Sequence, residues 1–122
     1  MLKELRPDLT EAWFEQIYDE GYPQGLRFTA VYDGDRCVAV AGWRIVAETF
    51  SGRKLTVDDL VTTADRRSEG FGSALLSHLF ERAAGAGCAH LDLDSNVVRK
   101  DAHRFYEREG MRVVAHHFAK EV

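Results

Sequence analysis

The sequence predicts an α/β fold: a mixed central β-sheet, antiparallel in its N-terminal strands and parallel in one later pair, flanked by helices. Two stretches carry that prediction. Asp33-Gly34-Asp35 lies between two strand-like runs and is a hairpin signal, which makes the start of the sheet antiparallel. Between residues 55 and 94 a strand, a glycine turn, a helix and a second strand follow one another, and strands joined through a crossing helix run parallel. At 122 residues the chain is expected to be one domain, residues 1–122, with a single core near the lower end of the usual size range.

Asp8 and Glu11 have the spacing of a helix-opening capping box, and Leu9, Trp13 and Ile17 follow at four-residue intervals, so a first helix is expected from there to Gly21. Tyr22-Pro23-Gln24-Gly25 is a loop. Arg27 to Tyr32 and Cys37 to Val46 are the hairpin strands, and Phe50-Ser51-Gly52-Arg53 turns the chain again. In the central strand, Leu55 to Thr63, alternation puts Leu55, Val57, Asp59 and Val61 on one face and Thr56, Asp58, Leu60 and Thr62 on the other. The next helix carries Leu75, Leu76, Leu79, Phe80 and Ala83 at helical spacing and stops in Gly85-Ala86-Gly87. Cys88 to Asp94 is the parallel strand, and Arg99 to Glu109 is a last helix with the inner stripe Ala102, Phe105 and Tyr106. Met111 to Lys120 reads as one or two short strands.

Composition excludes several classes. With 45% apolar and 30% charged residues the chain has no apolar run near the ~18 residues of a membrane span, and its N-terminus mixes charge too freely for a signal peptide. Cys37 and Cys88 stand far apart inside apolar segments, without metal-ligand spacing, which predicts a reduced, cytoplasmic protein with no metal. A net charge of −4 without a basic run argues against nucleic acid as a partner. The charge is uneven: residues 1–60 hold 7 basic and 11 acidic side chains, residues 61–122 hold 9 of each. Arg66, Arg67, Arg99, Lys100, Arg104 and Arg108 suit a phosphorylated cofactor, and the acidic first half suits a cation such as an amine. Each is equally readable as an ordinary solvated side chain.

The glycine turn before the second helix, Arg66-Arg67-Ser68-Glu69-Gly70-Phe71-Gly72, is built like a phosphate cradle. Its glycines allow a tight turn and close approach, and the helix N-terminus that follows presents unpaired N–H groups to an anion. Gly72 is followed by Ser73 and Ala74 with no lysine, which rules out a Walker loop. Leu75 stands where a dinucleotide fingerprint needs a small residue, although Asp92 lies at the spacing of a ribose-binding acid. A loop with two incidental glycines is the plain alternative.

Arg67-x-x-Gly70-x-Gly72 between strand and helix resembles the Q/R-x-x-G-x-G/A signature of the GNAT N-acetyltransferase superfamily. Asn96 and the run Ala102-His103-Arg104-Phe105-Tyr106-Glu107-Arg108-Glu109-Gly110-Met111 resemble that family's asparagine and its A-x-x-F-Y-E-x-x-G-F/M ending, and the order of elements agrees. The likeness covers about residues 25–120. It implies an acyl-CoA N-acyltransferase fold in which the central strand splays from its parallel neighbour, and an enzyme moving the acetyl group of acetyl-CoA to a primary amine of a small molecule or peptide by direct attack. It further implies that backbone at Leu60, Val61 and Thr62 holds the pantetheine arm, that Arg67, Ser68, Glu69, Gly70, Phe71, Gly72 and Ser73 hold the pyrophosphate, and that Asn96 and Ala102 complete the cofactor site. Tyr106 is then the acid that protonates the departing thiolate.

The residues by themselves leave other readings open. Tyr106 lies on an inward stripe, so periodicity alone makes it a core residue. Asn96 fits a turn or helix entry equally well. Asp58 is the candidate base, acting directly or through water, with Asp59 second because alternation turns it the other way. Cys88, opening a strand, is a core residue rather than a nucleophile, and His103, His116 and His117 belong to the surface or an acceptor pocket. A non-catalytic acyl-CoA-binding regulatory module and a nicotinamide enzyme are the competing classes. Against the family pattern the first strand is missing and the end is short, which leaves Arg27 to Tyr32 as an unblunted sheet edge and predicts a homodimer. The segment from Asp101 to Lys120 looks like that of transferases for small amines, including aminoalkylphosphonates.

Overall fold

A computed structural model describes all 122 residues. The two longest strands, β2 (Arg36–Glu48) and β3 (Gly52–Thr62), form the centre of the sheet, paired antiparallel from Glu48↔Gly52 to Ala39↔Thr62. β1 (Arg27–Asp33) pairs antiparallel with β2, through a turn whose Gly34 has φ +61°. β4 (His90–Leu93) runs parallel to β3, and the sheet order is β1-β2-β3-β4. The predicted mixed sheet is therefore what the chain forms.

Helix α2 (Phe71–Gly85) crosses between β3 and β4 and covers one face of the sheet. Leu75, Leu76, Leu79 and Ala83 are buried against Ala39, Ala41 and Trp43 of β2, Leu55 and Val57 of β3 and Leu91 of β4. Full burial of each leucine stabilises the fold by about 1.5–3 kcal/mol. Trp43 is buried without an orphan donor, because its indole N–H donates to Thr29 Oγ1 at 2.9 Å. Phe80, grouped with the core stripe by its spacing, lies 38% exposed on the helix flank. Helix α3 (Lys100–Arg108) packs Phe105 and Tyr106 against the edge of the same core.

The other face carries helix α1 (Glu11–Gly21). Its N-cap is Thr10, whose hydroxyl accepts from Trp13 N–H at 3.1 Å, so the Asp8–Glu11 capping box does not form. Phe14 and Tyr18 meet Phe28 of β1, with centroids 5.3 and 6.0 Å away. Trp13 and Ile17, one residue off that ridge, stay exposed. Ahead of α1, Leu2–Glu4 form one 3-10 turn, and β1 has a single neighbour.

The tail differs from expectation. Gly110, at φ +87°, closes α3, and from Met111 to Val122 the chain forms no strand. Val113, Val114 and Phe118 are more than 70% exposed. Alternating apolar residues supply strand propensity, yet a strand exists only where an edge pairs with it, and the tail pairs with none. No helix of the chain is long and apolar enough to cross a membrane.

Candidate active site

The site begins with an irregularity in β3. Leu60 lies opposite Ala41 and Asp59 opposite Gly42, but Trp43 lies opposite Val57, so Asp58 is an extra residue on β3. Such a β-bulge re-aims the side chains after it. Leu55 and Val57 before it, and Leu60 after it, all pack on the α2 core. Asp58 and Asp59 then both turn to the opposite face, where Asp58 Oδ2 meets Arg44 Nε at 2.9 Å and Asp59 Oδ1 meets Arg6 Nη2 at 2.7 Å. Strict alternation is thus overturned: the two acids share a face, and Leu60 belongs with Leu55 and Val57.

The bulge coincides with a parting of strands. Parallel pairing of β3 with β4 covers only Lys54–Val57 against His90–Leu93. Beyond it lies a cleft of about 250 Å³, with Val57, Asp58, Asp59 and Leu60 on one wall and Leu93, Asp94 and Asn96 on the other. Leu5 and Arg6 reach it from the N-terminal segment, Arg99 and Tyr106 from the start and body of the α3 region. Burial pushes the Tyr106 phenol's pKa up, opposed by the nearby Arg99 charge. A phenol so placed stays protonated at neutral pH and can donate.

A second feature lies at the start of α2. Gly70, at φ +87°, is the N-cap of α2, and no side chain caps the helix. The N–H groups of Phe71, Gly72 and Ser73 therefore have no acceptor within the chain. Ser68 also sits at positive φ, +66°. Of the two arginines in the turn, Arg66 is held by Asp33 at 2.6 Å and Glu69 at 2.8 Å, which raises its pKa and fixes the loop. Arg67 makes a single hydrogen bond, from Nε to Thr62 O at 3.4 Å, and no ion pair. Gly72 has a reason of its own: a Cβ there would stand 3.2 Å from Thr62 Oγ1 and 3.4 Å from Phe105 Cζ. The glycine lets the helix start against β3 and α3. Thr62, two residues beyond the cleft-lining Leu60, is thus the β3 residue against which the cradle is set.

The predicted residues fall into three groups. Asp58, Leu60, Asn96 and Tyr106 line the cleft, together with Asp59. Arg67 to Ser73 form the uncapped turn, with Thr62 beside it. Val61 is buried within β3 and Ala102 is half-buried on α3, and neither lines the cleft. Asn96 Oδ1 accepts from Val98 N–H at 3.1 Å, the turn that its type favours, and its carbonyl lies 2.8 Å from His103 Nε2. Asp92, the ribose-acid candidate, is taken by Lys54 at 2.7 Å. Sequence reasoning passed over Arg6 and Asp94, which line the cleft, and Ser95, which does not line it but has a buried hydroxyl without a partner.

A sequence profile of the acetyltransferase (GNAT) family matches residues 1–111. The chain belongs to that family. It is an N-acetyltransferase, and the family's donor is acetyl-CoA. It is 32% identical over its full length to an uncharacterized N-acetyltransferase, YhdJ, of Bacillus subtilis, of which it spans 87%. It is 39% identical over 64 residues to an aminoalkylphosphonate N-acetyltransferase of Salmonella typhimurium, a match of 52% of this chain and 42% of that one. Among solved structures, a putative acetyltransferase from Agrobacterium tumefaciens superposes with a TM-score of 0.84 at 25% identity, covering 98% of this chain and 88% of its own.

Proposed function

We propose that the chain transfers the acetyl group of acetyl-CoA to a primary amine by direct attack in the cleft between β3 and β4. The observation that carries this is the presence of two fitting parts along one strand: an uncapped helix N-terminus at Phe71 to Ser73, set against Thr62 at the end of β3, and a gap where the edge of β3 from Asp58 onward has no partner in β4. The N–H groups and Arg67 would hold the pyrophosphate. The backbone of Leu60, Val61 and Thr62 would pair with the pantetheine arm, and Asn96 would bond it from the facing wall. Bound there, acetyl-CoA supplies an activated acyl carbon and a thiolate leaving group.

This chain's residues meet the remaining demands. A free N–H on the unpaired edge of β3 would polarise the thioester carbonyl. Tyr106 donates its proton to the departing sulfur. Asp58 takes a proton from the amine, directly or through water, with Asp59 beside it on the same face after the bulge. A non-catalytic acyl-CoA-binding module would need none of these groups in the cleft.

We propose a small primary amine as acceptor, in keeping with the partial likeness to an aminoalkylphosphonate N-acetyltransferase. A homodimer, assembled through the outer edge of β1 or through the exposed tail, is the corresponding proposal for assembly. Free Cys37 and Cys88 suit the reducing cytoplasm. The test is to incubate the chain with acetyl-CoA and a panel of small amines, following free thiol and acetylated amine together. Equal amounts of the two support the reading, whereas thiol release that does not depend on any amine overturns it.

A further inference from the structure

We propose that the acceptor amine carries an anionic group, a carboxylate or a phosphonate a few bonds from the nitrogen, and that Arg6 reads it together with Arg99. This rests on reading the cleft as the site of acetyl transfer. A cleft for a simple cationic amine needs carboxylates and gains nothing from guanidinium groups, which repel an ammonium. This one has both. Asp58 and Asp59 are lined up on β3, while Arg6 enters from the segment ahead of α1 and Arg99 from the residue ahead of α3. Three acids, Asp58, Asp59 and, on the facing wall, Asp94, and two arginines around about 250 Å³ complement a molecule with both signs of charge close together.

Arg6 is built to do this. Its Nε donates to Asp59 Oδ1 at 2.8 Å and its Nη2 lies 2.7 Å from the same oxygen, so one edge of the guanidinium is anchored and Nη1 has no partner. The arginine side chain is 59% exposed while the aspartate is only 17% exposed. The carboxylate is the fixed support and the guanidinium the presented group. The segment is also pinned from behind, because Glu4 Oε1 accepts from Ala64 N–H at 3.0 Å just past the end of β3. Arg6 is thereby preorganised over the cleft rather than left on a free terminus. Arg99 faces the same space without an acidic partner, close enough to Tyr106 for its charge to act on the phenol. An anion bound between the two arginines places a nearby amine beside Asp58. Asp59 is then a positioning residue for Arg6.

The test uses binding, so that it does not depend on turnover. The complex with coenzyme A is titrated by calorimetry with N-acetyl-2-aminoethylphosphonate, N-acetyl-β-alanine and N-propylacetamide, which share an acetamide and differ in charge. The anionic products are expected to bind at least tenfold more tightly than the neutral one, and the phosphonate and carboxylate arms rank the two anions. Arg6→Gln and, separately, Arg99→Gln should shrink that preference, and Arg6→Lys should retain part of it, with melting curves confirming that each variant is folded. Equal binding of neutral and anionic products, or an undiminished preference in both glutamine variants, overturns the proposal. Failure of coenzyme A itself to bind would instead bring down the transferase reading on which it rests.

Discussion

Replacing Gly72 with valine tests how the cradle is built. The Cβ would lie 3.2 Å from Thr62 Oγ1 and 3.4 Å from Phe105 Cζ, already tighter than ordinary contact, and the added methyls have to push β3, α3 or the start of α2 aside. The side chain therefore points into the junction of β3 and α3 rather than into the space over the turn. Overpacking of this kind costs about 1–3 kcal/mol, and at this chain length about 2 kcal/mol lowers Tm by roughly 6–12 °C. A shift of the helix start also misaims the N–H groups of Phe71 to Ser73, and losing one or two hydrogen bonds to a charged group, about 1.5–3 kcal/mol each, weakens acetyl-CoA binding at least tenfold. Gly72→Ala should be much milder, since a lone Cβ needs only a few tenths of an ångström and gains helix propensity. Calorimetric titration and thermal melts measure both effects. A valine variant with unchanged Tm and acetyl-CoA affinity within twofold of the parent would refute the reasoning.

Tyr106→Phe should leave acetyl-CoA affinity within a few-fold and reduce kcat by about 10²-fold if proton donation limits turnover; full activity would return the residue to a packing role. Asp58→Asn should depress the rate most at mildly acidic pH, where more of the amine needs deprotonation, and a pH profile matching the parent's would move the base to Asp59 or water. Glu4 has its pKa lowered by the hydrogen bond from Ala64 N–H, so its contribution is present above the ordinary glutamate value of about 4.3 and fades as pH falls through its lowered value. Amide protection across residues 2–6, measured relative to the intrinsic exchange rate at each pH, should accordingly drop on acidification, and Glu4→Gln should show the lower protection already at neutral pH. Light scattering at low micromolar concentration should find a dimer, and a fully active 13.8 kDa monomer would defeat that proposal.

Much of the fold was legible because it is local. Asp33-Gly34-Asp35 marked a real hairpin, and the spacing of Leu75, Leu76, Leu79 and Ala83 marked the face of α2 that is buried. The parallel pair followed from the crossing helix. What escaped depends on partners distant in sequence. A bulge is defined by counting β3 against β2, so the alternation of Leu55 to Thr62 taken alone put every residue from Asp59 to Thr62 on the wrong face. The side of α1 that meets the sheet was set by Phe28 of β1 and favoured Phe14 and Tyr18 over Trp13 and Ile17. The tail's alternation was genuine, but it lacks an edge to pair with. Of the candidate site, Asp58, Asn96 and Tyr106 were found, whereas Arg6 sits in a segment with no periodicity and is brought to the cleft only by the Glu4 and Asp59 contacts. The adjacent pair Asp58-Asp59 inside an alternating strand was the one sequence signal of the bulge.

The central claim, that the uncapped turn and the gap along β3 receive acetyl-CoA, is tested most directly by thermal unfolding with acetyl-CoA, coenzyme A or NAD added separately. A ligand of the native state at 100 times its dissociation constant stabilises by about 2.7 kcal/mol, a shift of several degrees for a chain of this size. Acetyl-CoA and coenzyme A should both raise Tm by that order and NAD should leave it unchanged. Stabilisation by NAD alone, with no response to either acyl carrier, would contradict the account.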